Sequence, residues 1–181
     1  MNNRYVDNFN DRLDIKSFFE HVAAQEGDRR SFEKQFFDLD SPGFVEIADS
    51  WNTAGIQPSS VEWFNYYSGV HFDEEFTNQF ADLVGAIPVK VWVSKILPGK
   101  FFPRHIDVDY DTEKYVEGKM VRYHMHITNH SFGHFFVLED LYIAGYKPGD
   151  VYQWRDYRVW HAGGNVGQVP KYNFNFLGIA K

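Results

Sequence analysis

The chain has 181 residues, 44% of them hydrophobic and 24% charged, a balance that suits one folded domain with a sizeable core and excludes a disordered chain. It has no cysteine, which excludes disulfides and thiolate metal sites, so any bound metal takes histidine and carboxylate ligands. The net charge of −7, without a basic run, argues against nucleic acid as the main partner.

The opening stretch MNNRYVDNFNDRLDIKSFF carries no apolar signal-peptide core, and no segment approaches the ~20 apolar residues of a membrane span. A soluble, cytoplasmic protein with no membrane partner is the expectation. Aromatic residues make up 19% of the chain and favour strands, where flat rings pack well on a pleated surface.

Two textures follow one another within a single predicted domain, 1–181. Residues 1–86 read as mainly helical support. Leu13, Ile15, Phe18, Phe19 and Val22 fall at helical spacing in RLDIKSFFEHVAAQ. RRSFEKQFFDL adds a helical turn or two, and SPGFVEIADSW opens with Ser41 as a helix N-cap and Pro42 as the first helical residue. SSVEWFNYYSG has strand character. The strongest helix is FDEEFTNQFADLVGAI, with Phe72, Phe76, Phe80, Leu83 and Val84 along one side and acids in its first turn.

Residues 87–181 change to period two. VKVWVSKIL, KMVRYHMHIT, GHFFVLED, LYIAGYK, DVYQW and KYNFNFLGIA are short, aromatic-rich and separated by turn residues. That rhythm predicts a β-sandwich or barrel with the helices packed in front of it.

Alternation then sorts side chains by face. In KMVRYHMHIT, Val121, Tyr123, Met125 and Ile127 share one face, and Arg122, His124 and His126 share the other. In KYNFNFLGI, Tyr172, Phe174 and Phe176 point one way and Lys171, Asn173 and Asn175 the other. Two strands with cationic or amide inner faces describe a barrel with a positively charged interior, which wants an anion.

His105 and Asp107 stand two apart at a strand exit, and His161 lies near another strand end. Two imidazoles and one carboxylate on one side of a divalent ion form the facial triad of non-haem Fe(II) oxygenases, with positions left open. Zinc accepts the same donors. Asp109 is the alternative carboxylate. Taken singly, each piece has a plainer reading. A His-x-Asp pair in a loop is more often a surface ion pair, Arg122 can pair across a sheet, and His124 and His126 can be pocket wall. His130 and His134 flank a turn and read as surface residues.

VWVSKILPGKFFPRHID, VRYHMHI, KPGDVYQW and VWHAGGN…VPKYNFNFLG resemble the 2-oxoglutarate- and Fe(II)-dependent oxygenases, and within them the aspartyl/asparaginyl β-hydroxylase-like branch. The resemblance covers roughly residues 88–180, does not extend to the N-terminal half, and implies a double-stranded β-helix (jelly-roll, cupin-like) there; with the predicted N-terminal helices packed on one sheet, the expected fold class is α+β. It implies His105, Asp107 and His161 as iron ligands. It implies Ser94, Arg122, His124 and Lys171 as the residues that hold 2-oxoglutarate, with Gly149-Asp150 as the turn before the strand that leads to His161. Two positions depart from the branch. Lysine stands at 171 where arginine is usual, giving a point charge without a planar fork. Asp107 stands where the vertebrate-type members have glycine.

The implied activity is a dioxygenase that hydroxylates an amino-acid side chain, a peptide or a small molecule, with Fe(II), 2-oxoglutarate and O₂. VDYDTEKYVEGK suits a flap over the entrance or a plain solvated loop, and Tyr110, Tyr115 and Trp160 are candidate substrate walls. Two other readings compete: a cupin-like metalloenzyme that does not use 2-oxoglutarate, and a non-catalytic binding module whose histidines are structural.

Overall fold

A computed structural model of the protein describes residues 4–32, 49–106, 119–154 and 159–181. Along the described chain run β1 (Arg4–Asn8), α1 (Ile15–Ala23), β2 (Asp28–Ser31), β3 (Glu62–Tyr67) and α2 (Glu75–Val84). Eight further strands follow: β4 (Ala86–Ile96), β5 (Lys100–His105), β6 (Met120–His126), β7 (His134–Leu138), β8 (Leu141–Ile143), β9 (Asp150–Trp154), β10 (His161–Asn165) and β11 (Lys171–Ala180).

The strands form a seven-stranded sheet, ordered β1-β9-β6-β11-β4-β3-β2, and a four-stranded sheet, ordered β5-β10-β7-β8. The pairings between these strands are antiparallel. From β4 onward the chain passes back and forth between the sheets: β4, β6, β9 and β11 join the large one, and β5, β7, β8 and β10 the small one. This winding is the double-stranded β-helix, or jelly roll.

The helices occur where the apolar period is 3.6. The Asp14 carboxylate caps α1 by accepting the Ser17 N–H at 3.0 Å. Gly85 closes α2 in the left-handed conformation (φ 63°) and sends the chain directly into β4. Their apolar stripes meet the outer face of the large sheet. Phe18 of α1 stacks on Phe76 of α2 at 3.7 Å between ring centroids, and Phe76 and Phe80 lie 5.4 and 4.9 Å from Phe174 of β11. Val121, Tyr123 and Met125 of β6 join the same core. Because side chains alternate, Arg122, His124, His126, Lys171, Asn173 and Asn175 take the opposite face, between the sheets.

The sequence pattern does not anticipate β1 or β2. RYVDN and DRRS are short and polar, and both form sheet edges whose pairing with β9 and β3 comes from tertiary contact rather than from alternation. Asp28–Ser31 is thus a strand where a helical turn is expected, while residues 33–39 of that stretch lie outside the described residues. So do Ser41 and Pro42. Residues 49–53 are helical and bury Trp51, whose indole N–H donates to the Arg104 carbonyl at 2.7 Å. Among the described residues no helix is long and apolar enough to cross a membrane.

Candidate active site

His105 ends β5, His161 opens β10, and the two are partners across that antiparallel pair. Their ring centroids are 4.1 Å apart. In each ring Nδ1 lies close to the backbone carbonyl two residues earlier: Pro103 for His105 at 2.8 Å and Val159 for His161 at 3.0 Å. A carbonyl only accepts, so Nδ1 of each ring carries a proton, and in a neutral imidazole that leaves the lone pair on Nε2. Such backbone clamps fix ring orientation in the way that metal-binding histidines require. Burial, reinforced by His161, holds His105 well below the ordinary histidine range and therefore neutral. Asp107 and Asp109, the candidate third ligands, lie outside the described residues. Among the described residues no three histidine or carboxylate side chains form a metal-holding group.

Lys171 opens β11 with 0% of its surface exposed. Its ammonium donates to the Phe135 carbonyl and has no carboxylate partner among the described residues. Burial lowers its pKa to about 7. The small sheet leaves room above it, since a Cβ added to Gly163 of β10 would stand 3.7 Å from Nζ. A buried amine in such a setting gains its charged form at a cost, which an adjacent anion would offset.

Arg122 is buried on the same inner face, its guanidinium 4.8 Å from the Trp92 ring centroid and 5.9 Å from that of Trp154. The two indoles hold the planar fork by cation–π contact.

Ser94 and His124 belong to one hydrogen-bond chain that crosses four strands. The Ser94 hydroxyl accepts from Trp92 Nε1 at 3.0 Å and from Asn175 Nδ2 at 3.1 Å, and donates to Asn65 Oδ1 at 3.3 Å. Its donor and both acceptor positions are taken within the sheet. With its amide nitrogen committed to Ser94, Asn175 turns Oδ1 to His124 Nδ1 at 3.0 Å. Asn173 Oδ1 receives His126 Nδ1 at the same distance. Both imidazoles therefore carry the proton on Nδ1 and present Nε2 as an acceptor. Both Nε2 atoms are buried without a hydrogen-bond partner among the described residues. Burial, with help from Lys171, pushes His124 down to about 3, and burial also holds His126 well below its ordinary range. Rings from the opposite side cover them: Phe136 stacks on His124 at 4.1 Å and Tyr146 on His126 at 3.5 Å. In this arrangement Ser94 has no capacity left for a ligand, and His124 offers a lone pair where a carboxylate needs a donor.

His134 departs from its expected surface position. It is 1% exposed, with Nε2 donating to the Val169 carbonyl and Nδ1 accepting from the Tyr146 hydroxyl. The local pattern hides this, because a turn next to β7 carries no sign of what folds over it. Trp160 is half-buried under the Arg104 guanidinium at 4.5 Å. Tyr110, Tyr115 and residues 108–118 of the expected flap lie outside the described residues. Gly149 and Asp150 anchor an edge of the large sheet: Gly149 has φ 90°, and Asp150 Oδ1 accepts from Asn8 Nδ2 at 2.8 Å. Gly163 and Trp154 are site residues that the sequence reading does not single out. Alternation along DVYQW could have found Trp154, since it is the cross-strand partner of Arg122.

No family model and no curated protein matches the chain. Solved structures do. A Pseudomonas putida prolyl-4-hydroxylase is 11% identical over 92% of this chain and 99% of its own, with a TM-score of 0.50. The viral collagen prolyl hydroxylase of Paramecium Bursaria Chlorella virus-1, in a 2OG complex, is 15% identical over 88% of this chain and 99% of its own, with a TM-score of 0.49. A Cupin_2 domain of an XRE family transcriptional regulator from Enterobacter cloacae is 8% identical over 66% of this chain and 98% of its own, with a TM-score of 0.41. The likeness to the Pseudomonas putida prolyl-4-hydroxylase is one of fold.

Proposed function

We propose that the protein is an Fe(II)- and 2-oxoglutarate-dependent dioxygenase that hydroxylates an amino-acid side chain, a peptide or a small molecule. The observation that carries the reading is the pairing of two features in one interior. His105 and His161 stand side by side, each with Nδ1 held at a backbone carbonyl, and Lys171 is fully buried with no carboxylate partner among the described residues. A donor set of two imidazoles fits Fe(II), with Asp107 as the third ligand in this reading. A lone buried ammonium fits the distal carboxylate of a keto diacid.

Bound metal and co-substrate together supply one chemistry: decarboxylation of 2-oxoglutarate to succinate and CO₂, coupled to insertion of one oxygen atom of O₂ into a C–H bond. The protein's own residues bind, orient and exclude water. His105 and His161 hold the metal, Lys171 neutralises the far end of the diacid, and Arg122 offers a second carboxylate fork held by Trp92 and Trp154. Phe136, Leu138 and Trp154 keep the interior apolar around these charges, which strengthens each polar contact. Fold likeness to a prolyl-4-hydroxylase is compatible with this reading and does not carry it.

Anaerobic addition of Fe(II) and 2-oxoglutarate tests it. The expected result is a weak visible charge-transfer band, lost in His161→Ala and Asp107→Ala and requiring more 2-oxoglutarate in Lys171→Ala. Well-folded protein that gives no band, and whose metal affinity does not change in His161→Ala, contradicts it.

A further inference from the structure

The indole N–H of Trp154 has no hydrogen-bond partner among the described residues although the residue is only 3% exposed. Leaving a buried donor unsatisfied costs about 1–3 kcal/mol, so native structures keep few of them, and those kept call for a reason. The surroundings supply one. Trp154 closes β9, its ring is 5.4 Å from that of His161, and Arg122 is its cross-strand partner. The ring that carries the orphan donor therefore neighbours both a proposed metal ligand and the buried guanidinium.

The residue that the family resemblance assigns beside Arg122 cannot do the same job here. His124 has its only proton on Nδ1, engaged with Asn175, and that direction follows from the chain Asn175–Ser94–Asn65. A carboxylate oxygen set against its Nε2 meets a lone pair. A carboxylate set against Trp154 meets an N–H that lacks an acceptor.

We propose that Trp154, with Arg122, forms the seat for a ligand carboxylate beside His161, and that Trp154 Nε1–H donates directly to it. Within the function proposed above, on which this inference rests, that carboxylate belongs to 2-oxoglutarate. Trp154 is then a positioning residue of the co-substrate site, taking the place that the resemblance gives to His124. The other four tryptophans are engaged elsewhere: the indoles of Trp51 and Trp92 donate to the Arg104 carbonyl and the Ser94 hydroxyl, Trp63 packs edge-on with Phe102, and Trp160 lies under Arg104.

Indole N–H resonances of the ¹⁵N-labelled protein, loaded with Zn(II) in place of iron, provide a test that needs no turnover. Trp154→Phe identifies the Trp154 signal by its loss. Adding 2-oxoglutarate to the wild type should shift that signal downfield, as a new hydrogen bond requires. Trp154→Phe keeps an aromatic ring but deletes the donor. It should weaken 2-oxoglutarate binding about tenfold, as expected for a lost bond to a charged group, without lowering Tm. A purely packing role predicts the reverse, a lower Tm with unchanged affinity. If the wild type binds 2-oxoglutarate while the Trp154 signal stays still and Trp154→Phe binds equally well, this inference falls and the dioxygenase reading stands. If the wild type binds no 2-oxoglutarate at all, both fall.

Discussion

The Lys171 ammonium faces Gly163 across the two sheets so closely that a Cβ at 163 would sit 3.7 Å from Nζ. Its other neighbours would be Ile96 Cδ1 and the Phe135 carbonyl, each at 3.8 Å, which are ordinary contacts. Gly163 does not have a left-handed backbone, so Gly163→Ala should fold with Tm within a degree or two of the wild type. The added methyl occupies space above the only fully buried ammonium among the described residues. The 2-oxoglutarate concentration for half-saturation, read by the charge-transfer band, should rise several-fold. Unchanged affinity would place the anion seat elsewhere.

Lys171 itself makes the fold pH-dependent. Burial lowers its pKa from 10.5 to about 7, so between pH 7 and 10.5 the unfolded chain binds the proton that the folded chain has lost. Stability therefore rises with pH across that window, and the full penalty is present below pH 7. Lys171→Met removes the charge at similar length. At pH 7 it should raise Tm by about 5–10 °C and flatten the slope of Tm between pH 7 and 9. Differential scanning calorimetry across that range reads both effects.

The buried imidazoles act at the acid end. His105, His124, His126 and His134 all lie below the ordinary histidine value of 6.5, chiefly through burial. As pH falls through 6.5, the unfolded chain takes up protons that the folded chain refuses, so stability declines, and for His124 the decline continues to about pH 3. Tm should already drop between pH 7 and 5, ahead of carboxylate protonation. His126→Phe, which keeps a ring against Tyr146, should make that drop shallower.

Asn175 is the hinge of the interior network, joining His124 to Ser94. Asn175→Leu fills similar volume but strands the His124 Nδ1–H and one Ser94 acceptor. The expected loss is about 2–4 kcal/mol in urea denaturation, with an unchanged m-value. A loss below ~0.5 kcal/mol would mean that water replaces the amide without cost.

On the outer face, Phe80 of α2 contacts Phe174 and Phe176 of β11 at 4.9 and 5.3 Å and is fully buried. Phe80→Ala should cost about 3–5 kcal/mol. Since the proposed ligands His105 and His161 stand on the other sheet, Zn(II) affinity measured well below the unfolding transition should stay close to that of the wild type.

Much of this arrangement is written in local sequence. Period two in KMVRYHMHIT and KYNFNFLGIA already assigns Phe174 and Phe176 to one face and His124, Asn175 and Lys171 to the other, because alternation follows from strand geometry alone. Period 3.6 in FDEEFTNQFADLVGAI marks α2 for the same reason. HAGGN is harder to read: β10 contains Gly163 and Gly164, which carry no strand preference, and it exists because β5 and β7 pair with it on either side. The edges β1 and β2 likewise depend on partners far away in the chain.

Composition and spacing by themselves determined an aromatic β-barrel with imidazoles and cations on its inner face, since each of those statements concerns neighbours along one strand. Only the tertiary structure decided which hydrogen each imidazole carries, that Ser94 is spent within the sheet, that Lys171 lies under a glycine, and that Trp154 has an indole proton to give. Those properties depend on atoms brought together from strands scores of residues apart, and a hydrogen bond is set by distance and angle rather than by order in the chain.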